Sequence, residues 1–419
     1  MKSLSKPVEY VKKCLNIVKK YDLLSLKKLI DNAIIFLNLK AKKLEKAIFI
    51  ISINTMKERK IRKMANINEY LDWRGDIPIN DEFGINEIDN MIFARISYLL
   101  FDKIEFEDEE TIESVSNKMK NFKNEEFNYN GDKELITKLG KSRRFKDLIV
   151  TEYEKNNDVE AERQFSAITI HISKKLMYLS FEGTDGTILG WKEDFNMAFM
   201  KNVASQISAK EYLEKIANKY KNKKIILGGH SKGGNVAIYA AVTTLQNIQE
   251  RIVRVVNYDG PGFDQEFIKS IRNKEMLNKV FTYIPQDSII GRILEHEEGY
   301  EVVKSTQKGI YQHDIYSWQV LGKQMVKLKE ASKSSEVINE TMKTWLKNTT
   351  VEQRRLFFDA VFDIFNSTSA SKFSEISATW KTSMPILFER YKELSEEDRK
   401  NMMDMIKLFG KSYFASLRG

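Results

Sequence analysis

Residues 223 to 241 read Lys-Lys-Ile-Ile-Leu-Gly-Gly-His-Ser-Lys-Gly-Gly-Asn-Val-Ala-Ile-Tyr-Ala-Ala. An apolar run stops at glycines around one serine, Ser231, and restarts as a helix-forming segment. Its centre, Gly229 to Gly233, fits G-x-S-x-G. That pattern belongs to a sharp strand-to-helix turn, which pushes a serine hydroxyl out of the end of a sheet and into reach of a substrate. The glycines have steric reasons to be there. The serine backbone is strained in such a turn, and a Cβ on either flank would meet the neighbouring strand or helix.

The surrounding pattern is that of a mainly parallel sheet covered by helices. Ala167–Ile172 and Leu176–Phe181, joined by Ser173–Lys175, predict an antiparallel strand pair. Trp191 to Met200 is expected to be helical, and Ser208-Ala-Lys-Glu211 reads as a capping box opening another helix. Apolar, β-branched runs at 224–227, 252–258, 280–284 and 300–303 supply further strands, the first three separated by helical segments. Together with the serine turn this is the α/β-hydrolase fold class. The hydrolase domain is expected over 64–318. It is preceded by a basic helical extension over 1–63 and followed by a helical region over 319–419 that packs on the core or forms a lid. In that last region Thr350 and Ser395 open helices, and Phe357, Phe358, Val361, Phe362 and Phe365 make an apolar stripe whose first explanation is core packing.

The formal charge of +9 would suggest a nucleic-acid or membrane partner if it were spread over the chain. It is not: residues 1–63 hold 17 Lys and Arg against 5 Asp and Glu, a net of +12, so residues 64–419 carry −3. No nucleic-acid partner is expected on that ground. Leu23, Leu24, Leu26, Leu29 and Ile30 form an apolar stripe among lysines. The favoured reading of the extension is a solvated helical hairpin or a poorly ordered segment, and the functional alternative is a basic amphipathic helix in peripheral contact with an anionic membrane. A third reading starts translation at Met64, where composition changes. No run approaches the roughly 18 apolar residues of a membrane span, and the single cysteine, Cys14, forms no internal disulfide. A cytoplasmic location is the expectation. Oligomeric state is not legible.

A serine hydroxyl needs a base, usually a histidine oriented by a carboxylate. Of four histidines, His230 adjoins the serine and is expected to pack structurally. His171 precedes the serine in the chain, and His296 lies in a charged, surface-type segment. His313, after the last predicted strand, is the candidate base in the chain order Ser, Asp, His. Two carboxylates compete as its partner. Asp287 ends the strand two after the nucleophile strand and is weighed above Asp259, which ends the strand directly after it. The oxyanion of the reaction needs backbone donors. Lys232 is the first candidate. Thr184, in Phe181-Glu-Gly-Thr-Asp-Gly-Thr187, is the second, and its hydroxyl could add a further bond. No metal or organic cofactor is required by this chemistry.

Taken in order, Phe181-Glu-Gly-Thr-Asp-Gly186, Trp191 with Glu193-Asp194, Gly229–Gly234, Asp259-Gly-Pro-Gly262, Asp287 and His313 resemble the landmarks of class-three, fungal-type lipases. The span from about Asn66 to Trp318 is similar to a family of bacterial lipase-like α/β-hydrolases. The resemblance implies a serine esterase or lipase acting on lipid or lysophospholipid esters, with Ser231 as nucleophile, His313 as base, Asp287 as acid, and Thr184 and Lys232 at the oxyanion. A non-catalytic binding scaffold on a degenerate hydrolase core is the alternative, and an unpaired His313 would mark it. Two residues depart from the lipase pattern: Glu182 stands where an arginine is usual, and Lys232 where an apolar residue is usual.

Overall fold

The computed structural model describes residues 65–197, 200, 202–368, 370, 375 and 379–417. The chain divides at Lys63, so the expected basic extension lies outside the described residues. The fold is that of the unit beginning at Met64.

Eight strands lie side by side in chain order: β1 (Glu109–Thr111), β2 (Ile149–Asp158), β3 (Arg163–His171), β4 (Leu176–Phe181), β5 (Lys224–His230), β6 (Ile252–Tyr258), β7 (Val280–Pro285) and β8 (Glu301–Val303). A ninth, β9 (Lys327–Leu328), closes the far edge. Pairing is antiparallel from β1 to β4, parallel from β4 to β8, and antiparallel again between β8 and β9. Because β9 lies beyond Trp318, the sheet outruns the 318 boundary expected for the hydrolase domain. Most of β2 was hidden in sequence by its charged residues, which face outward over its second half.

The helices that bear on the site and its supports are α1 (Glu87–Ile96), α2 (Asp132–Leu139), α3 (Ile188–Asn196), α4 (Ala204–Lys219), α5 (Lys232–Thr243), α6 (Lys333–Lys347), α7 (Val351–Asn366), α8 (Trp380–Glu393) and α9 (Glu396–Ser416). Strand residues alternate between faces. Ile168, Ile170, Tyr178, Ile226 and Val256 pack with α1 residues such as Ile88, Met91 and Ile92 on one side. Ala167, Met177, Leu179, Ile225, Leu227 and Val255 pack with Leu213 and Ile216 of α4 and Ala237 of α5 on the other. A sheet buried on both faces explains why β5 reads as one apolar run rather than as an alternation. The fold is of the α/β-hydrolase type.

Helix α4 begins four residues earlier than its supposed capping box. Its N-cap is Val203, whose amide donates to Gln206 Oε1 at 3.0 Å, and Ser205 N donates to Glu193 Oε1 at 2.7 Å. A carboxylate from α3 thus satisfies a first-turn donor, and Ser208 lies inside the helix. Thr350 and Ser395 do cap α7 and α9. Phe358 and Phe362 join Trp345, Leu387, Met405 and Ile188 in one core that seats the C-terminal helices on α3. Among the described residues no helix is long and apolar enough to cross a membrane.

Candidate active site

Ser231 sits between β5 and α5 with φ 58° and ψ −135°, a conformation that costs roughly 1–3 kcal/mol and persists only where neighbours impose it. They do so here. Ser231 N donates to Tyr258 O at 2.9 Å, tying the turn to the end of β6. A Cβ on Gly229 would lie 2.4 Å from the Gly233 carbonyl carbon, and one on Gly233 would lie 2.2 Å from Phe181 O. Backbone cannot yield by that much, so strand, turn and helix approach this closely only through glycine.

The next strand delivers the carboxylate. Asp259 follows Tyr258 at the end of β6, with φ 54°, and its Oδ2 accepts from His313 Nδ1 at 2.7 Å. Its Oδ1 accepts from Ser288 Oγ at 2.5 Å and Gly291 N at 3.2 Å. Asp259 is 1% exposed, so these three donors replace the water it has lost. The preference for Asp287 is therefore corrected: His313 pairs with Asp259. Asp287 fastens the histidine loop instead, accepting from Gln312 Nε2 at 2.8 Å while its own amide donates to Gln312 Oε1 at 2.8 Å. Trp318 Nε1 adds a bond to Gln312 O at 2.8 Å. The shorter reach wins because β6 adjoins β5, and Ser231 is already bonded to its last residue.

With Nδ1 engaged, Nε2 is the other nitrogen of His313, the candidate partner of Ser231. The two side chains share no hydrogen bond among the described residues; such contacts often tighten only when substrate binds. Gly183 packs against Ser231, since a Cβ there would lie 3.0 Å from Ser231 Cβ. This brings the Gly183-Thr184 loop to the serine turn, while the amide of Lys232, at the start of α5, is among those a helix leaves without an intrahelical partner. The Thr184 hydroxyl is committed elsewhere: it donates to Asp194 Oδ2. Having one hydrogen, it cannot also donate to an oxyanion, so the extra bond expected from it is withdrawn and its amide remains. Burial, relieved by Lys232 and by the Thr184 bond, pushes the Asp194 carboxyl up to about 6.

The ammonium of Lys232 points away from the serine. It donates to Glu193 Oε2 at 2.7 Å and to Gln164 O and Oε1 at 2.8 and 2.6 Å. Burial opposes its charge, but Glu193 and Asp194 outweigh burial and raise its pKa. Sequence reasoning noted Glu193-Asp194 as a landmark and missed what the pair does: one carboxylate holds the side chain of Lys232 and the other that of Thr184, the two oxyanion-donor candidates. A lysine in the glycine- and alanine-rich start of α5 was the signal that an acid had to be near.

Apart from His230, which adjoins Ser231, the remaining histidines make no direct bond to Ser231, Asp259 or His313 among the described residues, and His296 reaches Asp259 only through Gly291. His171 bonds Thr151 Oγ1 at 3.0 Å and faces Lys223 Nζ at 2.8 Å; burial and that ammonium lower it to about 4. His296, expected at the surface, has a buried side chain clamped between Glu298 Oε1 and Gly291 O, each at 3.0 Å. Among the described residues no three His, Cys, Asp or Glu side chains converge as a metal-holding group.

A strand-to-helix turn at Ser231 on a sheet of this order, with His313 paired to Asp259 beside it, is that of the α/β-hydrolase fold. The family model described as Mbeg1-like matches residues 139–363, more than half of the chain, and the chain belongs to that family. Among solved structures it is similar to the MDLA protein of Penicillium cyclopium at 12% identity, covering 59% of this chain and 87% of that one with a TM-score of 0.33. Lipase II of Rhizopus niveus is 16% identical over 44% of this chain and 75% of that one, with a TM-score of 0.27. A Yarrowia lipolytica lipase is 14% identical over 45% and 74%, with a TM-score of 0.28. No curated protein matches the chain.

Proposed function

We propose that the chain is a serine hydrolase of carboxylic esters, with lipid or lysophospholipid esters as its substrate class. Ser231 Oγ attacks the ester carbonyl as His313 Nε2 takes its proton, and Asp259 holds the ring and balances the imidazolium. The tetrahedral oxyanion is received by the amides of Lys232 and Thr184. Its collapse expels the alcohol, which takes the proton from His313, and leaves an acyl-serine. Water, deprotonated by the same histidine, attacks that acyl group and restores Ser231. No metal or organic cofactor enters any step.

The observation that carries this reading is the 2.7 Å bond from His313 Nδ1 to buried Asp259 beside a strained Ser231. The binding-scaffold alternative called for an unpaired His313 and loses its support there. The lipid preference rests on the resemblance of the ordered landmarks from Phe181 to His313 to those of class-three lipases. We place the protein in the cytoplasm, with its basic N-terminal segment available to an anionic membrane surface.

The test is intact-mass labelling with a fluorophosphonate. One adduct in the wild type, absent in Ser231→Ala and in His313→Ala, supports the reading and justifies an ester chain-length series. A folded wild type that takes no label sinks it in favour of the scaffold.

A further inference from the structure

His230 precedes Ser231 and is fully buried. Its Nε2 lies 2.7 Å from the main-chain oxygen of His313. A carbonyl only accepts, so Nε2 carries the hydrogen. Its Nδ1 lies 3.2 Å from Tyr98 Oη, which is also 3.1 Å from the His230 carbonyl. The His230 carbonyl can only accept, so it takes the one Tyr98 hydrogen, the neutral ring keeps its own hydrogen on Nε2 with Nδ1 bare, and burial, with His313 and Arg95 acting the same way, keeps the ring uncharged. The rings of His230 and His313 face each other with centroids 4.5 Å apart, inclined by 36°.

Tyr98 is itself held from behind. The Arg95 guanidinium lies between the rings of Tyr98 and Tyr129, 3.9 Å from each centroid, and makes two 2.7 Å bonds to Asp132 at the start of α2. A rigid, buried assembly thus ends in one N–H aimed at the main chain of His313. That main chain needs such a hold. It ends a short helical turn, Gly309–His313, in a loop that leaves the sheet after β8. Asp259 fixes the far end of the side chain, and Asp287 and Trp318 hold the preceding residue, Gln312, which leaves the His313 carbonyl to His230.

Resting on the serine-hydrolase reading, we infer that His230 is a positioning residue for His313. Its Nε2–H fixes the His313 main chain and its ring face backs the His313 ring, so that Nδ1 is already on Asp259 and Nε2 is free to engage Ser231 when substrate binds. The His313 carbonyl, which only accepts, selects the Nε2–H tautomer, and Tyr98 ties down the His230 main chain. Positioning of this kind matters because a displacement near 1 Å costs about 100-fold in rate.

Two readouts test it. In two-bond ¹H–¹⁵N spectra of the full chain, His230 shows a protonated Nε2 and a bare Nδ1, unchanged between about pH 5 and 8. A His230 that titrates in that range, or that holds its hydrogen on Nδ1, overturns the inference whatever the enzyme does. In ester hydrolysis, His230→Phe keeps the ring and loses the donor, and kcat falls about 10- to 100-fold with KM within about threefold. His230→Gln restores an N–H near the same place and recovers about tenfold of that loss. Equal losses in the two variants, or none in His230→Phe, overturn it. If His230→Phe does not fold, Tyr98→Phe replaces it: the tie to the His230 main chain is lost, His230 keeps its hydrogen on Nε2 and kcat drops severalfold, and a hydrogen moved to Nδ1 or an unchanged rate counts against the inference. A wild type that takes no fluorophosphonate fails the hydrolase reading instead, and the spectra alone then decide the role of His230.

Discussion

Lys232 Nζ and Glu193 Oε2 meet 2.7 Å apart, each side chain about 1% exposed, one residue beyond the proposed nucleophile. The pair binds the first turn of α5 to α3, the helix after the Thr184 loop. Removing one partner from a buried ion pair strands the other charge and costs about 3–5 kcal/mol, whereas replacing both with apolar groups is often neutral. Lys232→Met is therefore expected to lose stability on that scale, and Lys232→Met/Glu193→Leu to regain part of it. The regain is incomplete because Glu193 also accepts from the amides of Gln164 and Ser205. Urea denaturation of the two single variants and the double variant measures the coupling; additive losses would show that the pair contributes nothing.

Asp259 and Asp287 separate two roles that proximity alone would merge. Asp259→Asn removes the acceptor of the Nδ1 hydrogen and favours the wrong tautomer, so kcat is expected to fall about 10³- to 10⁴-fold with KM little changed. Asp287→Asn leaves His313 paired and weakens the bond that holds Gln312, so kcat falls less than about tenfold and the melting temperature drops by a few degrees. Steady-state ester kinetics with a thermal melt on each variant decide between them. A larger kcat loss in Asp287→Asn would return the acid role to that residue.

Thr184 contributes its amide to the proposed oxyanion site and its hydroxyl to Asp194. Thr184→Val keeps the amide and the bulk but deprives Asp194 Oδ2 of its donor, in a carboxylate whose Oδ1 has no partner among the described residues. The loop loosens, and kcat is expected to fall about 10-fold, short of the roughly 10²- to 10³-fold typical of losing an oxyanion donor outright. Thr184→Ser should keep most of the wild-type rate. If Val and Ser variants behave alike, the hydroxyl has no part in holding the loop.

What the sequence displayed and what it concealed divide along one physical line. Ser231, its flanking glycines and the strands around them were legible because local sterics dictate them: no other residue fits where a Cβ would lie 2.2 Å from Phe181 O. His313 was legible from chain order alone. The choice between Asp259 and Asp287 was not, because both end parallel strands, and the winner is set by a strand adjacency that only the folded sheet provides. Lys232 was legible as a misfit and not as half of a pair, since Glu193 comes from a separate helix. His230 looked inert because its single exceptional contact is to a main-chain atom, and main-chain atoms leave no trace in composition. The start of α4 was misplaced for a similar reason: Glu193 supplies from outside the acceptor that a local capping residue would have supplied.

Glu182 lies just past β4, next to the Thr184 loop, 8% exposed, where the lipase pattern has an arginine. Burial, reinforced by Asp185 and eased by Lys155 and Arg95, pushes its carboxyl up to about 8, against 4.5 for an ordinary glutamate. Between those pH values the native chain keeps a proton that the unfolded chain has lost. Stability contributed by this group is thus complete below pH 4.5, declines as pH rises through the window, and is gone once pH passes about 8. Glu182→Gln keeps the shape and removes the titration. Wild type and variant are expected to unfold alike at pH 4.5, with the variant gaining on the order of 3–5 kcal/mol by about pH 9. Chemical denaturation at intervals of pH reads the two slopes; a decline of equal steepness in Glu182→Gln would assign the lost proton to another group.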